Sequence, residues 1–132
     1  MSDGVTYDVF HEAFQEAKQD GFTNVIVDGF PRTKDQAQWL SKYMEMHGEK
    51  IDLVIVLEVP ESEVMNRLEK RARMEDTPET IAKRMMIYRQ KMYPVLGLFA
   101  EGGVRVVHID GTGTVGQVHD KIEAELETSG LV

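Results

Sequence analysis

Residues 24–36 read NVIVDGFPRTKDQ, and this stretch decides the predicted fold. The apolar run 24–28 is rich in Val and Ile, and a Gly-Phe-Pro turn leads from it to Arg32. The run lacks the apolar–polar alternation of a half-exposed strand, so it predicts a strand of a parallel sheet. Open α/β sheets bind ligands beyond the carboxyl ends of such strands, so we expect Asp28 and Arg32 to lie at a ligand site.

Two further apolar runs, 52–59 and 104–110, have the same character, and helical patterns alternate with all three. The predicted helices start at Thr6, Thr33, Pro60, Thr77 and Thr114, and we expect them to stop near Gly21, Gly48 and Pro94 where such residues follow. Thr33 with Gln36, and Thr114 with Gln117, form capping-box patterns. The alternation predicts one α/β domain over residues 1–132, a doubly wound parallel sheet with helices on both faces.

Composition excludes several classes of protein. The formal net charge of −8 argues against a nucleic-acid binder. No apolar run approaches the roughly 20 residues that span a bilayer, and the absence of Cys fits a reducing compartment. We therefore expect no membrane association and a location in the cytoplasm or an organelle matrix. The four His residues are not at metal-ligand spacing, so we expect no metal site built on them.

Arginines are concentrated in one part of the chain. Five of the seven Arg residues lie between positions 32 and 84. In an acidic protein such a group favours binding of a planar anion such as phosphate. Solvated helix faces with exposed ion pairs are the alternative, and composition alone does not decide between them.

The string from Asp28 to Arg32, followed by Gln36, resembles the signature of adenylate kinase and related nucleoside monophosphate kinases. The resemblance implies phosphoryl transfer from ATP with Mg²⁺ to a nucleoside monophosphate, with AMP favoured over UMP or CMP. Arg32 would grip the acceptor phosphate, with Gly29 in the turn before it, and Asp28 would reach Mg²⁺ through bound water. Gln36 has two interpretations, a helix cap or recognition of the acceptor base, and we favour base recognition because the rest of the motif is intact.

By the same resemblance, Val5 and Thr6 form a wall of the acceptor-base pocket, with Phe10 as a further lining residue. A helix cap and core positions explain these three residues equally well. Asp110-Gly111-Thr112 resembles the family's adenine-contacting loop, which implies a donor-nucleotide contact at Gly111.

The stretch 59–88 resembles the lid region of adenylate kinases, with a very short lid at 67–84 and no zinc-binding insertion. The resemblance implies that Arg67 stacks on the donor adenine. It also implies that Arg71, Arg73 and Arg84 grip the transferring phosphoryl group, and that Asp76 pairs with these guanidiniums when the lid closes. Glu75 stands where the family usually has an Asp.

The pattern G-x-x-x-x-G-K-[ST] occurs nowhere in the 132 residues. The resemblance thus covers about the last two thirds of the family, an incomplete P-loop kinase-like fold whose central P-loop strand is missing. We expect unpaired sheet edges and therefore a complementing chain, a homo-oligomer or a rearranged sheet. Without amide donors for the donor phosphates, we expect negligible activity from the chain alone. The alternative is a non-catalytic kinase remnant that serves as a structural or regulatory subunit, with or without a bound nucleotide.

Overall fold

The computed structural model describes residues 2–60, 63 and 78–131. The chain divides into two compact units, Met1–Phe30 and Pro31–Val132. Unit 1 contains helix α1; unit 2 contains two helices on either side of a strand, then a second strand and a last helix. Their bounds are α1 Asp3–Gln19, α2 Lys34–Met46, β1 Leu53–Glu58, α3 Pro78–Glu101, β2 Arg105–Asp110 and α4 Val115–Thr128. The expectation of one domain with a lid at 67–84 stays a prediction.

Helix α1 begins earlier than the sequence pattern predicts. Ser2 is the N-cap, and its hydroxyl accepts the N–H of Val5 at 3.4 Å. Thr6, the predicted cap, lies in the first helical turn and donates its own hydroxyl to the Ser2 carbonyl at 3.2 Å. Ser is as good a cap as Thr. The negative charge of Asp3, in the first turn, interacts favourably with the positive end of the helix dipole. The helix therefore starts at Ser2, the first residue that can cap it.

The predicted strand at 24–28 is wrong, because the structure places neither helix nor strand there. Among the described residues, only β1 and β2 pair into a sheet. A strand forms only where a neighbour satisfies its backbone N–H and C=O groups, and no described segment pairs with 24–28 as a strand. Its apolar side chains are exposed, Ile26 to 83%.

The other two predicted strands are confirmed, and they pair in parallel. The register runs from Leu53 opposite Arg105 to Glu58 opposite Asp110. Parallel strands need a long crossover connection, and α3 lies within it. We expected a sheet covered on both faces, but among the described strand residues only Ile109 is buried. These strands are apolar in sequence, yet most of their side chains are only half-buried or exposed among the described residues.

The core of unit 2 lies where α2 packs against α3, while α4 packs against β2. Its buried apolar residues include Ala37, Leu40 and Tyr43 from α2 and Val95 and Phe99 from α3. Leu40 follows Ala37 by three residues and Tyr43 follows Leu40 by three, so one face of α2 is buried. The first turns of α2 are thus fixed by the packing of this buried face in the core of unit 2.

Helix α3 does not end at Pro94, as the sequence analysis predicts, but continues to Glu101. An interior proline removes a backbone hydrogen bond and costs about 3 kcal/mol relative to alanine. Val95 and Phe99, just beyond it, are 1% and 4% exposed. Burying two such side chains stabilises the helix by about 1.5–3 kcal/mol each, which outweighs the proline.

The helix predicted after Pro60 falls almost entirely outside the described residues. In the part of the chain that is described, no helix has both the length and the apolar character to cross a membrane.

Candidate functional site

Arg32 directly precedes the N-cap of α2, and its backbone is held by a side chain of that helix. The Arg32 N–H donates to Oε1 of Gln36 at 2.7 Å, and Gln36 is only 9% exposed. The N-cap Thr33 accepts the Gln36 N–H at 3.2 Å. The Arg32 side chain is exposed. An exposed arginine therefore stands on an anchored backbone, an arrangement suited to bidentate binding of a phosphate.

The contact of Gln36 differs from the capping-box interpretation, whereas base recognition stays a prediction. In a capping box its side chain would accept the N–H of the N-cap, Thr33. It accepts the N–H of the preceding residue, Arg32, instead. The predicted box at Thr114 is confirmed, since Gln117 Oε1 accepts the Thr114 N–H at 2.9 Å and Thr114 Oγ1 accepts the Gln117 N–H at 3.1 Å. The same four-residue pattern thus gives two different geometries.

The loop after β2 is tightly closed. The Asp110 carboxylate accepts the N–H of Thr112 at 2.9 Å and its hydroxyl at 2.6 Å. These two bonds favour the ionised form, so they lower the pKa of Asp110. The Gly111 N–H donates to the Glu58 carbonyl at 2.7 Å, which ties the loop to the end of β1.

Gly111 occupies a position where an added side chain would be crowded. A Cβ placed there would lie 3.1 Å from Cγ2 of Val59 and 3.4 Å from the Glu58 carbonyl oxygen. The glycine therefore permits close approach between the loop after β2 and the chain leaving β1. Its proposed donor-nucleotide contact stays a prediction.

The carboxyl ends of the two strands also carry a pair that sequence reasoning missed. Nδ1 of His108 lies 2.6 Å from Oε1 of Glu58, and both side chains are at least half exposed. The two residues are 50 positions apart, and they meet because the strand register places Val56 opposite His108. Only the register could have revealed this pair, so no local pattern pointed to it.

Unit 1 contains the other predicted acceptor residues. Asp28 is exposed, and Gly29 has a φ of 79°, which suits glycine in the turn. Val5 is exposed on α1, and Thr6 is half-buried in its first turn. Phe10 stacks on Phe14 with 5.7 Å between ring centroids. The core interpretation of Phe10 thus has a contact in the structure, whereas the pocket roles stay predictions.

Three lid residues, Arg67, Arg71 and Arg73, lie outside the described residues, as do Glu75 and Asp76. Arg84 lies in α3 and is exposed. Of the predicted site residues in unit 2, the structure brings Arg32 and Gln36 into contact.

A group of metal-type ligands on α4 was overlooked because only His spacing was considered. His119, Asp120 and Glu123 place ligand atoms within 4.8 Å of one another, and all three are exposed. Exposed acidic groups of this kind are common without an ion, so we assign no site to them.

Comparison with known proteins finds a matching family model and several relatives. The family model described as adenylate kinase matches residues 1–104. An adenylate kinase from Maricaulis maris is 38% identical over 131 residues, which cover 96% of this chain and 68% of that protein. One from Thermus thermophilus is 39% identical, covering 77% of this chain and 56% of its own length. One from Phocaeicola vulgatus is 37% identical, with 88% and 60% covered. The chain spans between about half and two thirds of these relatives.

Proposed function

Because the chain belongs to the adenylate kinase family, we propose that it provides the acceptor side of an enzyme that converts ATP and AMP into two ADP. An oxygen of the AMP phosphate attacks the γ-phosphorus of ATP, and the bond from that phosphorus to the β-bridging oxygen breaks. Little covalent work is asked of the protein in such a transfer; it positions the phosphates and neutralises their charge. The complete string from Asp28 to Arg32 with Gln36 carries this proposal.

Arg32 is proposed to bind the acceptor phosphate. The residue is exposed, while its backbone is held at the start of α2. A planar guanidinium can donate two parallel hydrogen bonds to phosphate oxygens, which a lysine cannot do. Recognition of the acceptor base by Gln36, and by Val5 and Thr6 in unit 1, is a further part of this proposal. It rests on the family resemblance.

The donor side is proposed on the resemblance as well. Arg67 and Gly111 would contact the donor nucleotide, and Arg71, Arg73 and Arg84 would stabilise the charge on the transferring phosphoryl group. In such reactions, charge stabilisation of this kind commonly lowers the barrier more than any other single effect. The Gly111 N–H is hydrogen-bonded to the Glu58 carbonyl at the end of β1, and the Asp110 carboxylate closes the loop. This fixed backbone supports a backbone-lined contact at Gly111.

Asp28 is proposed to hold Mg²⁺ through bound water. Its carboxylate is exposed, and an oxygen donor of this kind suits a small hard cation that retains several waters. Bound Mg²⁺ would neutralise phosphate charge. One protein carboxylate is enough for this role, because substrate phosphates commonly supply the remaining ligands.

Turnover is proposed to require a P-loop segment, supplied in the same polypeptide or by a complementing chain. The 132 residues contain no P-loop pattern, and the described sheet has two strands. The β-prone residues Val25, Ile26 and Val27 are exposed, and so is Leu57 on β1. Exposed apolar segments with β-prone side chains are templates for pairing with another chain. A homo-oligomer is the alternative form of the same proposal.

A non-catalytic role is the second candidate, favoured by the missing P-loop pattern. A coupled assay for ADP formed from ATP and AMP separates the two. We expect negligible ADP from the chain alone and activity after addition of a P-loop-bearing segment from a family member. Arg32→Ala should abolish that activity, whereas the matched variant Arg105→Ala, which loses bonds to Glu125 and Ser129, should retain it.

Two outcomes would contradict these proposals. No ADP under either condition, together with no protection from proteolysis by a bisubstrate nucleotide, would favour the structural role. A stable, well-folded monomer in light scattering of the chain alone would contradict the need for a partner.

A further inference from the structure

We propose that Gln36 is a positioning residue, which holds the backbone of Arg32 so that its guanidinium is ready for the acceptor phosphate. The inference rests on the proposed function of Arg32. It assigns to the Gln36 side-chain oxygen a role in phosphate binding that is independent of the acceptor base.

The first argument is where the oxygen lies. Oε1 of Gln36 accepts the Arg32 N–H at 2.7 Å, a short bond in a part-buried setting. At a helix start this oxygen would ordinarily bond the N-cap, as Gln117 does with Thr114. Gln36 instead bonds the residue before the N-cap, Arg32. The residue it immobilises is the one that carries the proposed phosphate ligand.

The second argument is how many constraints act on the Arg32 backbone. Pro31 has its φ restricted by its ring. Thr33 is the N-cap of α2 with φ −132° and ψ 161°, and its hydroxyl is bonded to the Gln36 N–H. Gln36 itself is 9% exposed and next to Ala37, a core residue with no exposed surface. Arg32 is thus connected through Gln36 to the packed face of α2.

The third argument is the choice of an amide. A Glu at this position would gain stability from the helix dipole, so Gln forgoes some stability. A carboxylate would also place a negative charge beside a guanidinium that is to bind a phosphate. The neutral amide accepts the same hydrogen bond without that charge. An error of about 1 Å in a positioned group can cost on the order of a hundredfold in rate, so such a constraint has a direct use.

The test compares two ligands, AMP and ribose 5-phosphate, which has a phosphate but no base. Gln36→Met removes the acceptor at similar volume. We expect it to weaken binding of ribose 5-phosphate by about 3- to 10-fold, the size expected for one lost hydrogen bond, and binding of AMP by at least that factor, because the proposed base contact is lost as well. Gln117→Met opens the capping box of α4 and is the matched control, which should leave both affinities unchanged. A loss for AMP alone would overturn the proposal, because it would identify a base contact without anchoring of Arg32.

Amide hydrogen exchange of Arg32 provides a readout that needs no ligand. Exchange should be slow in the wild type and in Gln36→Glu, which retains the acceptor, and fast in Gln36→Met. Unchanged exchange in Gln36→Met would overturn the proposal. If Gln36→Met fails to fold, Gln36→Asn serves instead, since its shorter side chain cannot reach the Arg32 N–H.

Gln36→Glu separates anchoring from charge. It should bind ribose 5-phosphate less tightly than the wild type, with a deficit that shrinks as salt screens the carboxylate. The deficit of Gln36→Met should not depend on salt, and a salt-dependent deficit there would contradict anchoring. A wild-type chain that binds neither ligand would refute the proposed acceptor function, while the exchange rates would still show whether Gln36 holds Arg32.

Discussion

Replacing Gly111 with alanine tests the close approach between the loop after β2 and the end of β1. The added Cβ would lie 3.1 Å from Cγ2 of Val59 and 3.4 Å from the Glu58 carbonyl oxygen. The first separation is shorter than ordinary van der Waals contact, and the second is at its lower limit. The Val59 side chain or the loop must give way by a few tenths of an ångström. We expect the loop to shift and the 2.7 Å bond from the Gly111 N–H to that carbonyl to lengthen.

The expected cost combines three effects. Insertion of one methyl group into a filled site costs about 1–3 kcal/mol. A weakened backbone hydrogen bond adds up to about 1 kcal/mol. Alanine reduces the conformational entropy of the unfolded chain, which returns about 0.4–1 kcal/mol. We expect Gly111→Ala to lower the free energy of unfolding by about 2 kcal/mol, with the hydrogen-bond loss opposing the entropy gain.

Urea unfolding followed by circular dichroism measures this cost. Gly97→Ala in α3 is the matched control, because a Cβ there meets no atom within 4 Å and should stabilise the helix by about 0.5–1 kcal/mol. Val59→Ala in the Gly111→Ala background removes the nearest atom and should recover about 1 kcal/mol as a coupling free energy. An unchanged urea midpoint in Gly111→Ala, or costs that simply add in the double variant, would refute the close-approach argument.

Pro94→Ala should raise the free energy of unfolding by about 2 kcal/mol, since about 3 kcal/mol of helix preference is regained and about 0.4–1 kcal/mol of unfolded-state entropy opposes it; a lower thermal midpoint would contradict this. Thr112→Val should raise the pKa of Asp110, followed by NMR titration of its carboxyl carbon, because one of the bonds that lower that pKa is lost. A lowered folded-state pKa stabilises above the unfolded value near 3.9 and is lost as pH falls through the folded value, so Thr112→Val should weaken the acid dependence of stability below that pH. An unchanged titration would show that the Thr112 backbone alone sets the shift.

Local sequence signals were sufficient where the structure depends on local hydrogen bonds. Thr114 and Gln117 predict a capping box, and both bonds form. Thr33 is likewise the cap of α2, yet the partner of Gln36 was not predictable. The choice between the N–H of Thr33 and that of Arg32 depends on the turn entering the helix, which the spacing of four residues does not specify.

Signals that depend on distant partners were less reliable. Residues 24–28 have the composition of a strand, but a strand requires a neighbour and none of the described residues provides it. Pro94 is a strong local stop signal, and burial of Val95 and Phe99 outweighs it. The pair of Glu58 and His108 depends on the register of two strands 50 residues apart. In each case tertiary contacts decided the result.

The difference between local and distant contacts separates two parts of the proposed function, phosphate binding by Arg32 and turnover. The anchoring of Arg32 uses hydrogen bonds between residues at most four positions apart, all at the start of α2. The proposed completion of the sheet, in contrast, requires strands that the described residues do not supply. Local bonds on a packed helix do not depend on an additional strand. Phosphate binding by Arg32 should therefore be separable from turnover, and the ability to bind ribose 5-phosphate and the inability to form ADP are compatible properties of one chain.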